Sequence, residues 1–199
     1  MTLHMTNKFD AVYETALSRR SIRRFKQKSL NKEFLEKFVN AARLAPSAAN
    51  LQPLEFFIVD DKKLREQVFE ATNWAGYIKP KWTPVSDERP VAYIVILVKD
   101  RSNTWYKRDA SYAAANIVLA AESLDIGSCV LCAIDRDKIR EYLKIPEEVM
   151  IDSLIALGYK AEHPVAEDVI DSIKYWRDEK EVLHVPKRKL KDITHYNKY

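Results

Sequence analysis

The chain has 199 residues, 47% of them apolar and 31% charged, a globular balance that excludes global disorder and predicts one domain over residues 1–199. Two cysteines fit a reducing cytoplasm, the apolar run near Val91–Val98 falls far short of the ~20 residues that span a bilayer, and the first residues lack the apolar core of a secretory signal. Of 33 basic residues, five (Lys187, Arg188, Lys189, Lys191, Lys198) fall from His184 onward against the single acid Asp192, so a neutral body carries a basic tail.

Phe9–Leu17 reads as a first helix with Phe9, Val12, Tyr13 and Ala16 on one face. Asn31 caps a second, whose apolar stripe is Phe34, Leu35, Phe38, Val39 and Ala42, and Pro46 stands in the turn that ends it. Glu55–Asp60 is a strand, and a helix runs from about Asp61 to Asn73. A loop punctuated by Pro80, Pro84 and Pro90 leads into the most apolar strand, Val91–Val98. The alanine-rich helix Asp109–Leu124 is expected to be covered on more than one side, with Gly127 marking its end. Ser128–Ala133 follows as a strand or strand-like turn, Asp135 caps the helix Arg136–Leu143, and Pro146 breaks it. Ser153–Leu157 is a strand closed by Gly158, Ala166–Asp178 is expected as a helix, and Val182–Val185 precedes the tail. Two helices before any strand argue for an α+β or three-layer α/β domain rather than a βαβ series.

Only three glycines occur, Gly76, Gly127 and Gly158. Neither G-x-G-x-x-G nor G-x-x-x-x-G-K-[ST] can be written with them, so any nucleotide phosphate must be held by side chains. Two stretches could do so. Ser18-Arg-Arg-Ser-Ile-Arg-Arg-Phe25 places four arginines in six positions, and the planar guanidinium suits phosphate; alone, it reads equally as a solvated basic loop. Leu44-Ala-Pro-Ser-Ala-Ala-Asn-Leu-Gln-Pro53 combines small residues, two amides and two prolines, as in a loop that closely approaches a flat polar group.

The arginine–serine cluster, then A-P-S-A-x-N-x-Q-P and an aromatic strand, together resemble the FMN-dependent nitroreductase family. Leu119-Ala-Ala-Glu-Ser-Leu-Asp-Ile-Gly-Ser-Cys129, Ile139–Pro146 with Ser153–Tyr159, and the basic Pro186–His195 are similar to that family's later segments, in the same order. The resemblance covers nearly the whole chain. It implies an α/β/α domain whose mostly antiparallel or mixed sheet is flanked by helices, with residues 166–199 extending onto a partner subunit. It further implies bound FMN, NADH or NADPH as electron donor, a small acceptor such as a nitroaromatic or quinone, and a homodimer with shared sites. Residue by residue, Arg19, Arg20 and Ser21 would serve the phosphate and ribityl chain, and Arg23 the N1/O2 edge of the ring. Pro46, Ser47, Asn50 and Gln52 would come from the partner, and Asn73 would be a polar flavin contact. Val130, Leu131, Cys132 and Ala133 would pass beside the ring, with a backbone N–H near N5, and Lys187 or Arg188 would complete the phosphate clamp. No side chain is implied as a catalytic group, since flavin N5 carries the chemistry.

Other readings compete at single features. Cys129-Val-Leu-Cys132 could be a redox dithiol or half a zinc site, but residues three apart on a strand face opposite ways, and neither a second cysteine pair nor a histidine spacing supports a metal. Asp109 and Glu122, lone acids on an apolar helix, read as capping or structural hydrogen-bonding groups rather than proton-transfer groups, and Trp82, between prolines, is the tryptophan that fits a site. A flavin carrier without turnover and a basic-tailed nucleic-acid binder are the alternative functions. The second would show a steep salt dependence, and five tail charges make a short footprint, so no nucleic-acid partner is expected.

Overall fold

A computed structural model describes residues 3–198 apart from 101 and 103, with side chains described from residue 7 onward. The strands β2 (Leu54–Val59), β3 (Ala92–Val98), β4 (Ile126–Leu131) and β5 (Met150–Lys160), with the short β1 (Phe25–Lys26), form one antiparallel sheet. β5 is its centre: Leu157 pairs with both Ala92 and Ser128, which puts β3 and β4 on opposite edges of it. Where β3 begins, β1 takes over the same edge, with Phe25 opposite Lys160.

The helices are α1 (Leu3–Ser18), α2 (Lys32–Arg43), α3 (Lys62–Glu70), α4 (Tyr106–Glu122) and α5 (Arg136–Leu143). Alternation along β3 divides them into two layers. Ala92, Ile94 and Ile96 face Leu35 and Phe38 of α2 and Ala113 and Ile117 of α4. Tyr93, Val95 and Leu97 face Val68 and Phe69 of α3 and Ile139 of α5. All seven β3 residues are buried, as the continuous apolar run requires. The result is the three-layer α/β/α arrangement. Caps act where expected: the Asn31, Asp61 and Asp135 carboxamide or carboxylate oxygens accept the N–H groups of Glu33, Leu64 and Lys138.

Four expectations are corrected. Ala166–Asp178 is not a helix. It contains β6 (Val165–Asp168), an extended stretch and β7 (Trp176–Arg177), which with β8 (Leu183–Lys187) form a second, three-stranded sheet. The helix-like spacing of Ile170 and Ile173 buries nothing, since both are exposed; pairing of β6 alongside β8 decides the conformation. Gly127 does not end a helix and Gly158 does not close a strand. Both lie inside strands, and the turn after α4 is made by a left-handed Asp125 (φ 55°). Finally, α1 begins well before Phe9, and its apolar face is uncovered in the single chain, with Phe9 66% and Val12 69% exposed.

Candidate active site

The segment between α1 and β1 carries the arginines, and close packing fixes its path. A Cβ on Gly127 would stand 2.9 Å from Ile22, and one on Gly158 would stand 2.9 Å from Phe25. Ser21 bridges to Ser128, and the Ile22 N–H donates to the Ser128 carbonyl at 2.9 Å. Arg19, Arg20, Ser21 and Arg23 therefore lie alongside β4, which leads into Cys132 and Ala133.

Of the four arginines, Arg24 is paired with Glu88 at 3.3 Å and Glu181 at 2.7 Å, whereas Arg19, Arg20 and Arg23 are electrostatically open. Among the described residues, no carboxylate lies within ion-pair distance of the Arg19, Arg20 or Arg23 guanidinium. Arg20 spends Nη1 on the carbonyls of Leu17 (2.7 Å) and Arg19 (2.6 Å), closing the end of α1, while its buried Nε has no partner. Burial and then the adjacent Arg19 charge lower the Arg20 pKa, with Glu122 acting weakly the other way. Like charges held together by backbone and left without acids form a donor set for an anion. That chemistry fits the phosphate and electron-rich ring edge of FMN.

Two predicted contacts of the ring wall come together. The Asn73 N–H donates to the Ala133 carbonyl at 3.0 Å, and Asn73 Nδ2 lies 3.4 Å from the same oxygen. Along β4 the side chains alternate: Cys129 and Leu131 are buried, whereas Val130 is 41% exposed and Cys132 is exposed. The two thiols are free and differently placed, and burial pushes the Cys129 thiol pKa up. A dithiol pair is not what this geometry forms.

Pro46, Ser47 and Gln52 lie elsewhere. With Asp109, Ala113 and Phe56 they line a cleft of about 160 Å³ over the α2/α4 layer. Asn50 belongs to the same loop. Ala49, Asn50 and Gln52 are left-handed (φ 49°, 56° and 50°), costly for non-glycine residues and seen where surroundings enforce them. Here the enforcement is explicit: buried Asp109 accepts the Ala48 N–H at 3.0 Å, Ser47 Oγ accepts the Gln52 N–H at 3.2 Å, and Gln52 Nε2 donates to the Asn50 carbonyl at 3.2 Å. Asp109 is thus a structural acceptor, as is Glu122, which takes Lys160 Nζ at 2.9 Å and the Ser18 hydroxyl at 3.3 Å.

Lys187 ends β8 opposite Asp168, and Arg188 Nη2 donates to the Asp192 carbonyl at 3.0 Å. Neither touches the arginine cluster within the described chain. Three residues that the sequence reading did not assign do reach it. The Glu162 carboxylate accepts the Arg23 N–H at 2.5 Å and pairs with Arg177 at 2.7 Å, and the Tyr175 ring lies against the Arg23 guanidinium. Trp82 joins the same neighbourhood, with the Arg24 and Arg177 guanidinium carbons 5.5 and 5.1 Å from its ring.

A model of the nitroreductase family matches residues 16–159. The chain belongs to the nitroreductase family. Among its relatives is a protein of Methanothermobacter thermautotrophicus with the provisional name NADH dehydrogenase/NAD(P)H nitroreductase, 32% identical over 179 residues, 86% of this chain and 90% of that protein. Among solved structures, an FMN-dependent nitroreductase of Clostridium difficile R20291 has a TM-score of 0.66 at 28% identity, covering 91% of this chain and 96% of that one. A nitroreductase family protein of Clostridium novyi NT has a TM-score of 0.64 at 29% identity, covering 75% and 86%. Within this nitroreductase-family chain the arginine segment, β4 and Asn73 all fall inside the matched residues, whereas Glu162, Tyr175 and Arg177 lie beyond them.

Proposed function

We propose that the chain is an FMN-dependent oxidoreductase that accepts hydride from NADH or NADPH and reduces a nitroaromatic, a quinone or a similar small acceptor by a ping-pong mechanism. The observation that carries this reading is the group Arg19, Arg20 and Arg23, without a carboxylate partner among the described residues, set beside the Asn73–Ala133 contact in a member of this family. Bound FMN would supply the hydride-accepting centre. Arg19, Arg20 and Ser21 would hold its phosphate end. Arg23 would place a cation at the pyrimidine edge, where charge grows on reduction. Val130–Ala133 and Asn73 would wall the ring, and Lys187 or Arg188 would close on the phosphate.

The Pro46–Gln52 loop stands in a different cleft from the arginines, and α1 leaves an apolar face uncovered. Both features support a homodimer in which Pro46, Ser47, Asn50 and Gln52 reach the partner's flavin. No described helix is long and apolar enough to cross a membrane, and the acceptor is taken to be a small molecule.

The test is a visible spectrum of FMN-saturated protein before and after anaerobic NADH and then NADPH. Bleaching by either donor is expected. A band that persists with both would make the chain a flavin carrier, and failure to bind FMN would remove the reading. Arg19→Ala and Arg20→Ala should each weaken FMN binding ten- to a hundredfold, about 1.5–3 kcal/mol. Arg20→Ala should also loosen the end of α1, because its guanidinium closes that helix.

A further inference from the structure

The Arg23 side chain is held weakly by hydrogen bonds, with one long contact to the Ser21 carbonyl at 3.4 Å. Its guanidinium lies instead on the Tyr175 ring, with Cζ 4.8 Å from the centroid, inside the range of a cation–π contact. Tyr175 is fixed in turn from two directions. Tyr77 packs against it, centroids 5.0 Å apart at 52°, and the Tyr77 N–H reaches the Tyr175 hydroxyl at 3.5 Å. Two residues further on, Arg177 pairs with Glu162, whose other oxygen holds the Arg23 N–H. The contacts form a closed circuit. It runs from the Arg23 backbone through Glu162 and Arg177 to Tyr175, and returns to the Arg23 guanidinium. Within that circuit Arg177 pairs with the Glu162 carboxylate, and no carboxylate among the described residues pairs with the Arg23 guanidinium.

We infer that Tyr175 is a positioning residue that sets the direction in which the Arg23 guanidinium meets the pyrimidine edge of FMN. The inference rests on the placement of Arg23 at that edge under the proposed function. An arginine has a long, rotamer-rich stem, and without the ring its charge would be spread over many positions. A dispersed cation stabilises charge growing at one place less than a fixed one does. Tyr175 thereby tunes the preference for reduced over oxidised flavin without touching the reacting atoms.

The experiment compares the FMN-loaded full chain with Tyr175→Leu, Tyr175→Phe, Arg23→Ala and the Arg23→Ala/Tyr175→Leu pair. The midpoint potential of bound FMN, the dissociation constant of oxidised FMN and the thermal midpoint are measured for each. Leucine keeps apolar bulk at a half-buried position, so folding is not at stake. Tyr175→Leu and Arg23→Ala should each reduce the preference for reduced FMN about tenfold, about 30 mV lower for a two-electron couple. Tyr175→Phe should stay within about threefold of the parent, because the ring face survives. In the Arg23→Ala background, Tyr175→Leu should add nothing. A Tyr175→Leu variant with parental potential, even if less stable, overturns the inference while a responsive Arg23→Ala leaves the Arg23 assignment standing. Additive effects, or a Tyr175→Phe variant as impaired as Tyr175→Leu, also overturn it. A silent Arg23→Ala removes the assignment itself and the inference with it.

Discussion

Glu162 and Arg177 form an ion pair at 2.7 Å with both side chains only 6% exposed, and this pair fastens the small β6–β8 sheet to the segment between α1 and β1 that carries Arg23. Removing one member leaves the other charge buried without its partner. Glu162→Gln should therefore cost about 3–5 kcal/mol in urea unfolding with an unchanged denaturant slope. Replacing both, as Glu162→Gln with Arg177→Met, should recover a large part of that loss. A single variant within 0.5 kcal/mol of the parent, about the size of an ordinary surface change, would mean the pair contributes little.

Gly127 and Gly158 have no room for a methyl group. A Cβ at Gly158 meets Phe25 Cδ1 and Cβ at 2.9 and 3.0 Å, in a core where Phe25 is fully buried. Gly158→Ala should destabilise the fold by about 1–3 kcal/mol, the usual cost of overpacking. Because Phe25 follows Arg23 by two residues, the same change should weaken FMN retention. The check is a thermal melt paired with flavin release on gel filtration; loss of neither would mean that the segment yields freely.

His184 makes the small sheet pH-sensitive. Its Nδ1 lies 2.9 Å from Glu167, its Nε2 lies 3.4 Å from Asp178, and its ring stacks on Trp176 at 4.2 Å. The Glu167 hydrogen bond raises the His184 pKa above the ordinary 6.5, with burial opposing and Asp178 assisting. The stabilisation is therefore complete below pH 6.5 and is lost as pH rises through the raised value. Glu167 and Asp178 are shifted down, chiefly by the His184 and Val182 hydrogen bonds respectively, so their contribution is lost at the acid end. An NMR titration should give His184 a midpoint above 6.5, and amide exchange in β6–β8 should accelerate above it after correction for intrinsic rates. His184→Gln should abolish the alkaline change, and a midpoint at or below 6.5 would contradict this account.

The two cysteines should separate chemically. Cys132 is exposed, whereas Cys129 is buried and its thiol pKa is pushed up by burial. A thiol reagent should titrate one group in the native protein and two after denaturation. Cys132→Ala should keep its hydride-transfer rate, since the contribution expected there is a backbone N–H. Loss of turnover with flavin still bound would point to the thiol instead.

Elements whose burial and capping are local could be read directly from the chain. The Leu35, Phe38 and Ala42 stripe, the Asn31, Asp61 and Asp135 caps and the apolar β3 run each carry their own periodicity or side-chain acceptor. The arginine segment and the Pro46–Gln52 loop were legible because unusual residue types recur at family spacing. The β6–β8 region was not legible. Ile170, Ile173 and Trp176 mimic a helical face, and what makes β6 a strand is its pairing with β8, nineteen residues away.

The sequence by itself determined the layer composition, the family and the residue types available to an anionic cofactor, because these depend on local pattern and on which side chains exist. Only the tertiary structure decided that Arg19, Arg20 and Arg23 lack carboxylate partners among the described residues, that Asn73 meets Ala133, and that Glu162, Arg177 and Tyr175 converge on Arg23. Those relationships join positions up to about 150 residues apart. A charge acquires its chemical meaning from the groups folding brings to within a few ångströms of it, and no periodicity along the chain records which groups those are.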